Sequence, residues 1–183
     1  MSVFDDIANS ETTEGGNYIT KDGRYLFVVT KIGVNPKARK GKTFYVNLRV
    51  VEGHETVAGV APHAAGSSVS WLQVLGHSDE DRRKMAMGNT KKFVLALFNK
   101  VEGDLKPGDL SSTIKDLLGP DETGSKEQPA KGFLIKGETY QKPTKAGQPR
   151  MYLNFFGVEN TPADVKKRRL ELDKADAKLA EAE

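Results

Sequence analysis

Two segments of the sequence combine positive charge with aromatic side chains at the spacing of a β-strand. In the first, the turn NPKARKG (35–41) precedes the alternating segment KTFYVNLRVVE (42–52). In the second, the turn QKPTKAGQP (141–149) precedes RMYLNFFGVE (150–159). Lysine and arginine neutralise phosphates, and an aromatic ring that stacks on an unpaired base contributes about 1–3 kcal/mol. We therefore expect both segments to contact a nucleic-acid strand.

The candidate contact residues are the cations of the two turns and the rings of the strands that follow. They are Lys37, Arg39, Lys40, Lys42, Tyr45 and Arg49 in the first segment, Lys142, Lys145, Arg150, Tyr152 and Phe156 in the second, and Trp71 between them. Alternation places Tyr45 and Arg49 on the strand face opposite the apolar residues. The formal net charge is only +3, so the distribution of charge matters more than its total. A solvated turn, a cross-strand tyrosine and a tryptophan core anchor are the alternative interpretations.

Residues suited to catalysis or metal binding are scarce. The absence of cysteine excludes disulfides, zinc–thiolate sites and thiol catalysis. The three histidines, His54, His63 and His77, do not have the spacing of a metal-binding pair, and no Walker-type glycine loop occurs. The acidic run Asp79–Asp81 fits the favourable charge at a helix start. We expect no enzymatic activity, no cofactor and no bound metal.

The remaining sequence predicts a sheet that positions these residues. Apart from the two segments above, strands are predicted at Arg24–Val34, Ser67–Leu75, Lys91–Lys100 and Gly132–Tyr140. Short helices are predicted at 78–88, with Ser78 as N-cap and Gly88 at the end, and at 111–118, before a polar linker at 121–130. A parallel α/β sheet would need a crossover helix after nearly every strand. The pattern therefore favours a mainly β fold: an OB-like Greek-key β-barrel with extended hairpins and one or two short helices.

The two ends of the chain differ in composition from its middle. Residues 1–16 predict a flexible N-terminal arm, 17–160 an OB-like nucleic-acid-binding domain, and 161–183 a charged helical or disordered tail. There is neither a secretory leader nor an apolar run of roughly 20 residues, so we expect a cytoplasmic protein outside the membrane. Val165, Leu172 and Leu179 recur every seven residues, which is too thin a stripe for a coiled coil, and the oligomeric state stays open.

Several motifs occur together in this sequence, one near its start and the others within residues 15–160. They are FDDI near the start, the Lys/Gly-rich turn before an alternating strand, a glycine-containing stretch before Trp71, and KAGQPRMYLNFF. In this combination the sequence resembles phage-encoded single-stranded DNA-binding proteins with an OB fold. The resemblance implies that Lys37–Arg49 and Lys142–Phe156 clamp single-stranded DNA with little sequence preference during replication or recombination, in the host cytoplasm. It also implies that an acidic tail, here Glu171–Glu183, recruits replication or recombination proteins.

The tail departs from that pattern because it contains Lys174 and Lys178 and lacks a terminal aromatic residue. Its net charge is opposite to that of the turns, so it could instead fold onto the basic groove and compete with DNA. Deletion of residues 171–183 is then expected to tighten DNA binding at low salt.

The main alternative function is a non-catalytic protein-interaction or scaffold β-barrel of phage replication or virion assembly. Two basic turns on one side of the fold would favour nucleic acid, whereas scattered charges would favour a scaffold. Binding of RNA or of duplex DNA also stays open, and competition between oligonucleotide types separates these possibilities.

Overall fold

The computed structural model describes residues 17–38, 41–118, 128–143, 147 and 149–181. Within these residues it contains six strands and three helices. The strands are β1 (Asn17–Tyr18), β2 (Arg24–Asn35), β3 (Thr43–His54), β4 (Ser68–Val74), β5 (Leu134–Pro143) and β6 (Pro149–Phe156), and the helices are α1 (Glu80–Leu97), α2 (Pro107–Leu118) and α3 (Pro162–Ala180). The predicted arm at 1–16 and most of the predicted linker at 121–130 lie outside the described residues.

The six strands form one sheet in the order β1-β4-β3-β2-β5-β6. All neighbours from β4 to β6 pair antiparallel, and β1 adds two residues parallel to β4. Strand β2 pairs with β3 along its length, but with β5 only from Arg24 to Val28. In the described part of the chain no backbone ladder joins β6 to β4 or β1. The mainly β prediction is confirmed, whereas the sheet is open and a barrel is not confirmed.

Four aromatic rings connect opposite sides of this open sheet through helix α1. The ring centroid of Phe93 in α1 lies 6.0 Å from that of Phe44 in β3, 5.5 Å from Trp71 in β4 and 4.9 Å from Phe155 in β6. Trp71 and Phe155 also meet edge to face at 5.0 Å. Such pairs contribute about 0.5–1.5 kcal/mol each beyond the burial of their surface. This aromatic cluster therefore brings β4 and β6 together, although no ladder pairs these two strands within the described ranges.

The strand predicted at Lys91–Lys100 is wrong, because most of this segment belongs to helix α1, which ends at Leu97. A short apolar run fits a buried helix as well as a strand, and periodicity over so few residues does not separate the two. The buried residues of the helix are Ala86, Thr90 and all five from Phe93 to Leu97, so its last turn is buried on every side. Gly88 lies inside the helix rather than at its end, at a cost of about 1 kcal/mol relative to alanine that this burial offsets.

The starts of the first two helices also differ from prediction. The N-cap of α1 is Asp79 instead of Ser78, and its carboxylate accepts the backbone N–H of Arg82 at 3.0 Å. Helix α2 includes the helix predicted at 111–118 and begins earlier, at Pro107. Within the described ranges, no helix combines the length and the apolar content that crossing a membrane requires.

Helix α3 is docked against the rest of the fold. Its side chains Val165 and Leu172 are buried, whereas Leu179, the third residue of the same seven-residue spacing, is 63% exposed. Arg168 and Arg169 donate hydrogen bonds to backbone carbonyls of the segment at 129–132, the shortest being 2.7 Å. The helical form of the tail is thus confirmed for Pro162–Ala180. Arg168 and Arg169 are the last two of the four consecutive cations at 166–169, and their hydrogen bonds hold the helix against this segment.

Replacing Phe93 with alanine is expected to lower the free energy of unfolding by about 3–5 kcal/mol, because it removes a fully buried ring from the aromatic cluster. Urea unfolding followed by far-UV circular dichroism measures the change. Met85 lies on the same helix but is 55% exposed, so Met85→Ala is the matched control. The control should change stability by no more than about 0.5 kcal/mol. Equal midpoints for the two variants would contradict the central role of Phe93.

Candidate nucleic-acid interface

The outer face of the β5–β6 hairpin, which points away from the core, carries two tyrosines and two cations. Tyr140 lies opposite Tyr152, and Lys142 lies opposite Arg150. The two rings are stacked, with centroids 5.4 Å apart and planes inclined by 20°. The Nζ of Lys142 lies 5.3 Å from the Tyr140 centroid, and the Cζ of Arg150 lies 5.7 Å from that of Tyr152. These four residues, called the tyrosine–cation face below, form one surface of rings and positive charge.

The same side of the hairpin continues toward its base with a further ring and a further cation. Lys136 lies opposite Phe156; both are exposed, Phe156 by 49%. Between this pair and the tyrosines lie Glu138 and Asn154. The Glu138 carboxylate accepts a hydrogen bond from Arg24 at 3.1 Å, so its negative charge is paired. The outer face therefore keeps its positive and aromatic character along the hairpin.

The β2–β3 turn is described only at its two ends. Lys37 and Lys42 are exposed there. The backbone N–H of Lys37 donates to Oδ1 of Asn35 at 3.0 Å, which fixes the start of the turn in the way that asparagine side chains commonly do. The candidates that lie outside the described residues are Arg39 and Lys40 of this turn and Lys145 of the β5–β6 turn.

Two of the candidate rings are packed against the fold: Tyr45 is buried and Trp71 is half-buried. Tyr45 does lie on the strand face predicted for it, but it is only 7% exposed. Its cross-strand neighbours are Gly33 and Leu72. Because glycine has no side chain and leucine is apolar, these neighbours favour packing of the tyrosine ring onto the sheet. Trp71 lies opposite Val46 on the core side and packs in the aromatic cluster. Tyr45 is therefore too deeply buried to offer an open face to a base, and Trp71 is half-buried with its ring packed against Phe93 and Phe155.

Arg49 lies on the outer face and is already ion-paired with helix α3. Its Nη2 donates to Oδ1 of Asp176 at 3.1 Å. Lys131, just before β5, contacts Asp176 at 3.0 Å and Asp173 at 2.8 Å. The side chains of Arg49 and Lys131 are 23% and 16% exposed, so these contacts are partly shielded from water. Two acids of α3 thus neutralise two cations beside the candidate interface.

The pKa shifts in this group follow from competing effects of burial and charge. Burial by itself raises the pKa of Asp176, but hydrogen bonds and positive charge from Lys131 and Arg49 outweigh it and leave the pKa below its usual value. Burial lowers the pKa of Lys131, but hydrogen bonds and negative charge from Asp173 and Asp176 outweigh it and raise the pKa. Both groups are therefore charged at neutral pH, and the ion pairs persist there.

The two basic turns leave the sheet at opposite ends of β2. The last residue of β2, Asn35, leads into the β2–β3 turn. The first residue of β2, Arg24, pairs with Glu138 of β5, and from there β5 continues to the β5–β6 turn. The turns therefore do not form one patch at one end of the fold. The outer face of the sheet lies between them, and the strand register places Arg49 and Lys136 on it.

Tyr140, Lys136 and Lys131 are absent from the residues predicted from sequence. The first two could have been found from the sequence. If residues are counted in equal steps along the two strands away from the β5–β6 turn, Lys142 pairs with Arg150, Tyr140 with Tyr152, and Lys136 with Phe156. The prediction instead ended the strand at Tyr140 and assigned no register. Lys131 had no comparable signal, since it lies outside the strands and its acidic partners are distant in sequence.

No family model matches this chain, and no curated protein matches it either. The interface is therefore defined by its own geometry: a tyrosine–cation face whose cations are exposed, a partly described basic turn, and an intervening surface that α3 partly neutralises.

The Asp176→Asn substitution is expected to lower the free energy of unfolding at pH 7 by about 1 kcal/mol or less, because the ion pairs are partly exposed. The folded-state pKa of Asp176 is lowered, so its contribution is fully present above the ordinary aspartate pKa of about 4 and is lost as the pH falls through the lowered value. Urea midpoints of the two proteins should differ at pH 7 and converge as the pH is lowered below about 4.

The matched control is Glu171→Gln, which removes an exposed acid from the same helix. It should leave the midpoint unchanged across the same pH range. An Asp176→Asn deficit that stayed constant down to acid pH would contradict the stabilising role of the ion pairs.

Proposed function

We propose that this protein binds and protects single-stranded DNA with little sequence preference, without catalysing a reaction. The observation that carries the proposal is the tyrosine–cation face, where two stacked, half-buried rings and two exposed cations lie on one side of the hairpin. The sequence resemblance to phage-encoded single-stranded DNA-binding proteins supports a role in replication or recombination, in the host cytoplasm.

The aromatic part of the face favours an unpaired strand over a duplex. Bases in a duplex are stacked on one another and expose only their edges, whereas unpaired bases can stack on a protein ring. Tyr140, Tyr152 and Phe156 lie on the same side of one hairpin, so successive bases can meet successive rings. Stacking uses the flat face that every base has, and little sequence preference follows.

The cations of the outer face supply the attraction for the phosphate backbone. Lys142 and Arg150 lie beside the tyrosines, Lys136 lies toward the base of the hairpin, and Arg49 lies across the sheet. In our proposal the DNA strand follows this face from the β5–β6 hairpin toward the β2–β3 turn. Counterions are released as phosphates are neutralised, so the affinity should depend steeply on salt.

The strand order supports an OB-like arrangement as the finer description of the fold. Strands β2, β3 and β4 form a meander, α1 follows, and β5 returns to pair with β2. The contact between Trp71 and Phe155 brings together the two strands whose pairing would close such a barrel. In OB folds the site is bordered by the first and last hairpin turns, which correspond here to the two basic turns.

Helix α3 modulates DNA binding in this proposal. Asp176 engages Arg49, so a phosphate that approaches Arg49 competes with a carboxylate of the same chain. Deleting residues 171–183, or the milder Asp176→Asn substitution, should therefore tighten DNA binding at low salt. The exposed remainder of the tail stays a candidate for contacts with replication or recombination proteins.

Fluorescence anisotropy of a labelled oligo-thymidine of about 30 nucleotides is the test of the proposed function. If four cations contact phosphates, the affinity should fall about 50-fold between ~50 mM and ~200 mM salt. A duplex of equal length should not displace the oligonucleotide, and Trp71 emission should change little because this ring lies in the aromatic cluster. Absence of binding at the lower salt would overturn the proposal and favour the protein-interaction alternative.

Removing either stacked ring should weaken binding more than removing its hydroxyl. Tyr140→Ala and Tyr152→Ala are each expected to lower the affinity about 5- to 150-fold, which corresponds to the loss of one stacked base. Tyr140→Phe and Tyr152→Phe keep the ring and are the matched controls, with affinities near that of the wild type. The same anisotropy titration measures all four. Alanine variants that bind like the wild type would rule out stacking at this face.

A further inference from the structure

A second surface of the protein, distinct from the tyrosine–cation face, has the features of a peptide-binding groove. It lies between helices α1 and α2 and the end of the sheet near the β2–β3 turn, with a cavity volume of about 540 Å³. That volume is within the usual range for binding sites. Its apolar lining includes Val34, Phe44, Leu75, Met87, Leu110 and Ile114.

Positive charge surrounds this apolar lining. Lys42, Lys91 and Lys115 are among the described residues that line the groove, and no carboxylate is among them. Lys91 forms an ion pair with Glu102 at 2.6 Å, while Lys42 and Lys115 are exposed. An apolar groove bordered by lysines is complementary to a segment in which apolar side chains and carboxylates alternate closely.

The N-terminal arm of this chain contains such a segment. Residues 1–16 include four acids and no lysine or arginine, and in the motif FDDI the apolar residues Phe4 and Ile7 enclose Asp5 and Asp6. We propose that residues 4–7 bind this groove in the same molecule. Phe4 and Ile7 then fill the apolar part, and the two aspartates lie near Lys42 and Lys115.

The arm is long enough for this contact. The described chain begins at Asn17, which pairs with Val69 of β4, and Leu75, just beyond the end of β4, lines the groove. From Val69 to the end of β4 is about 17 Å at the rise of a strand. The roughly ten residues between Ile7 and Asn17 span up to about 33–36 Å when extended.

The test uses a synthetic peptide of residues 1–16, labelled with fluorescein at its C-terminus, and full-length protein without DNA. The wild-type arm competes with the peptide, whereas the double variant Phe4→Ser/Ile7→Ser leaves the groove open. An attached arm at an effective concentration of ~1 mM, competing with a peptide whose Kd is ~100 µM, lowers the apparent affinity about tenfold. The double variant should therefore bind the peptide about tenfold more tightly than the wild type.

A charge reversal identifies the groove as the site. In the Phe4→Ser/Ile7→Ser background, Lys115→Glu should weaken peptide binding severalfold. Lys92→Glu, on an exposed position of α1 outside the groove lining, is the matched control and should leave it unchanged.

Three outcomes would overturn the proposal. Equal affinity of the wild type and the double variant would show that the arm does not occupy the groove. A peptide that binds neither protein would show that residues 4–7 do not fit it. If the peptide affinity of the wild type rose to that of the double variant when the protein was diluted, the arm of one molecule would be binding the groove of another molecule and not its own. Because no DNA is present, each result is independent of the proposed DNA binding.

Discussion

The contact of Phe93 with rings from three strands is the interaction on which the arrangement of this protein depends. The β5–β6 hairpin is joined to the rest of the sheet by a ladder that covers only Arg24–Val28 of β2. A ladder that short leaves the far part of a hairpin free to twist relative to the remaining strands. Phe93 contacts Phe155 on the hairpin side and Trp71 and Phe44 on the other. The orientation of the tyrosine–cation face is therefore set by a core contact on the opposite side of the sheet.

The strands that alternate between apolar and polar residues were predictable, and the elements without that signal were not. Burial of Phe44, Val46 and Leu48 followed directly from period-two spacing in β3. Helix α1 was missed in its second half because a short apolar run has the same composition in a buried helix and a strand. The choice between helix and strand for this segment depends on the tertiary packing of Phe93, and a local sequence pattern does not reveal that packing.

The candidate site shows the same division. Lys142, Arg150 and Tyr152 were candidates from the sequence because charge and aromatic type are visible there, whereas Tyr140 and Lys136 required the strand register as well. Tyr45 was predicted to face solvent because alternation indicates which side of a strand a residue takes, but not whether that side is covered. Arg49 was found, yet its pairing with Asp176 joins residues far apart in the chain and depends on where α3 docks.

The tyrosine–cation face has a consequence for the unliganded protein. A pair of stacked tyrosines that is only half-buried leaves aromatic surface through which protein molecules can associate. Here Lys142 and Arg150 lie over the rings, so each aromatic surface is covered by a charged group that water solvates well. The same two side chains thus lie between the rings and any other protein molecule that approaches this face of the hairpin.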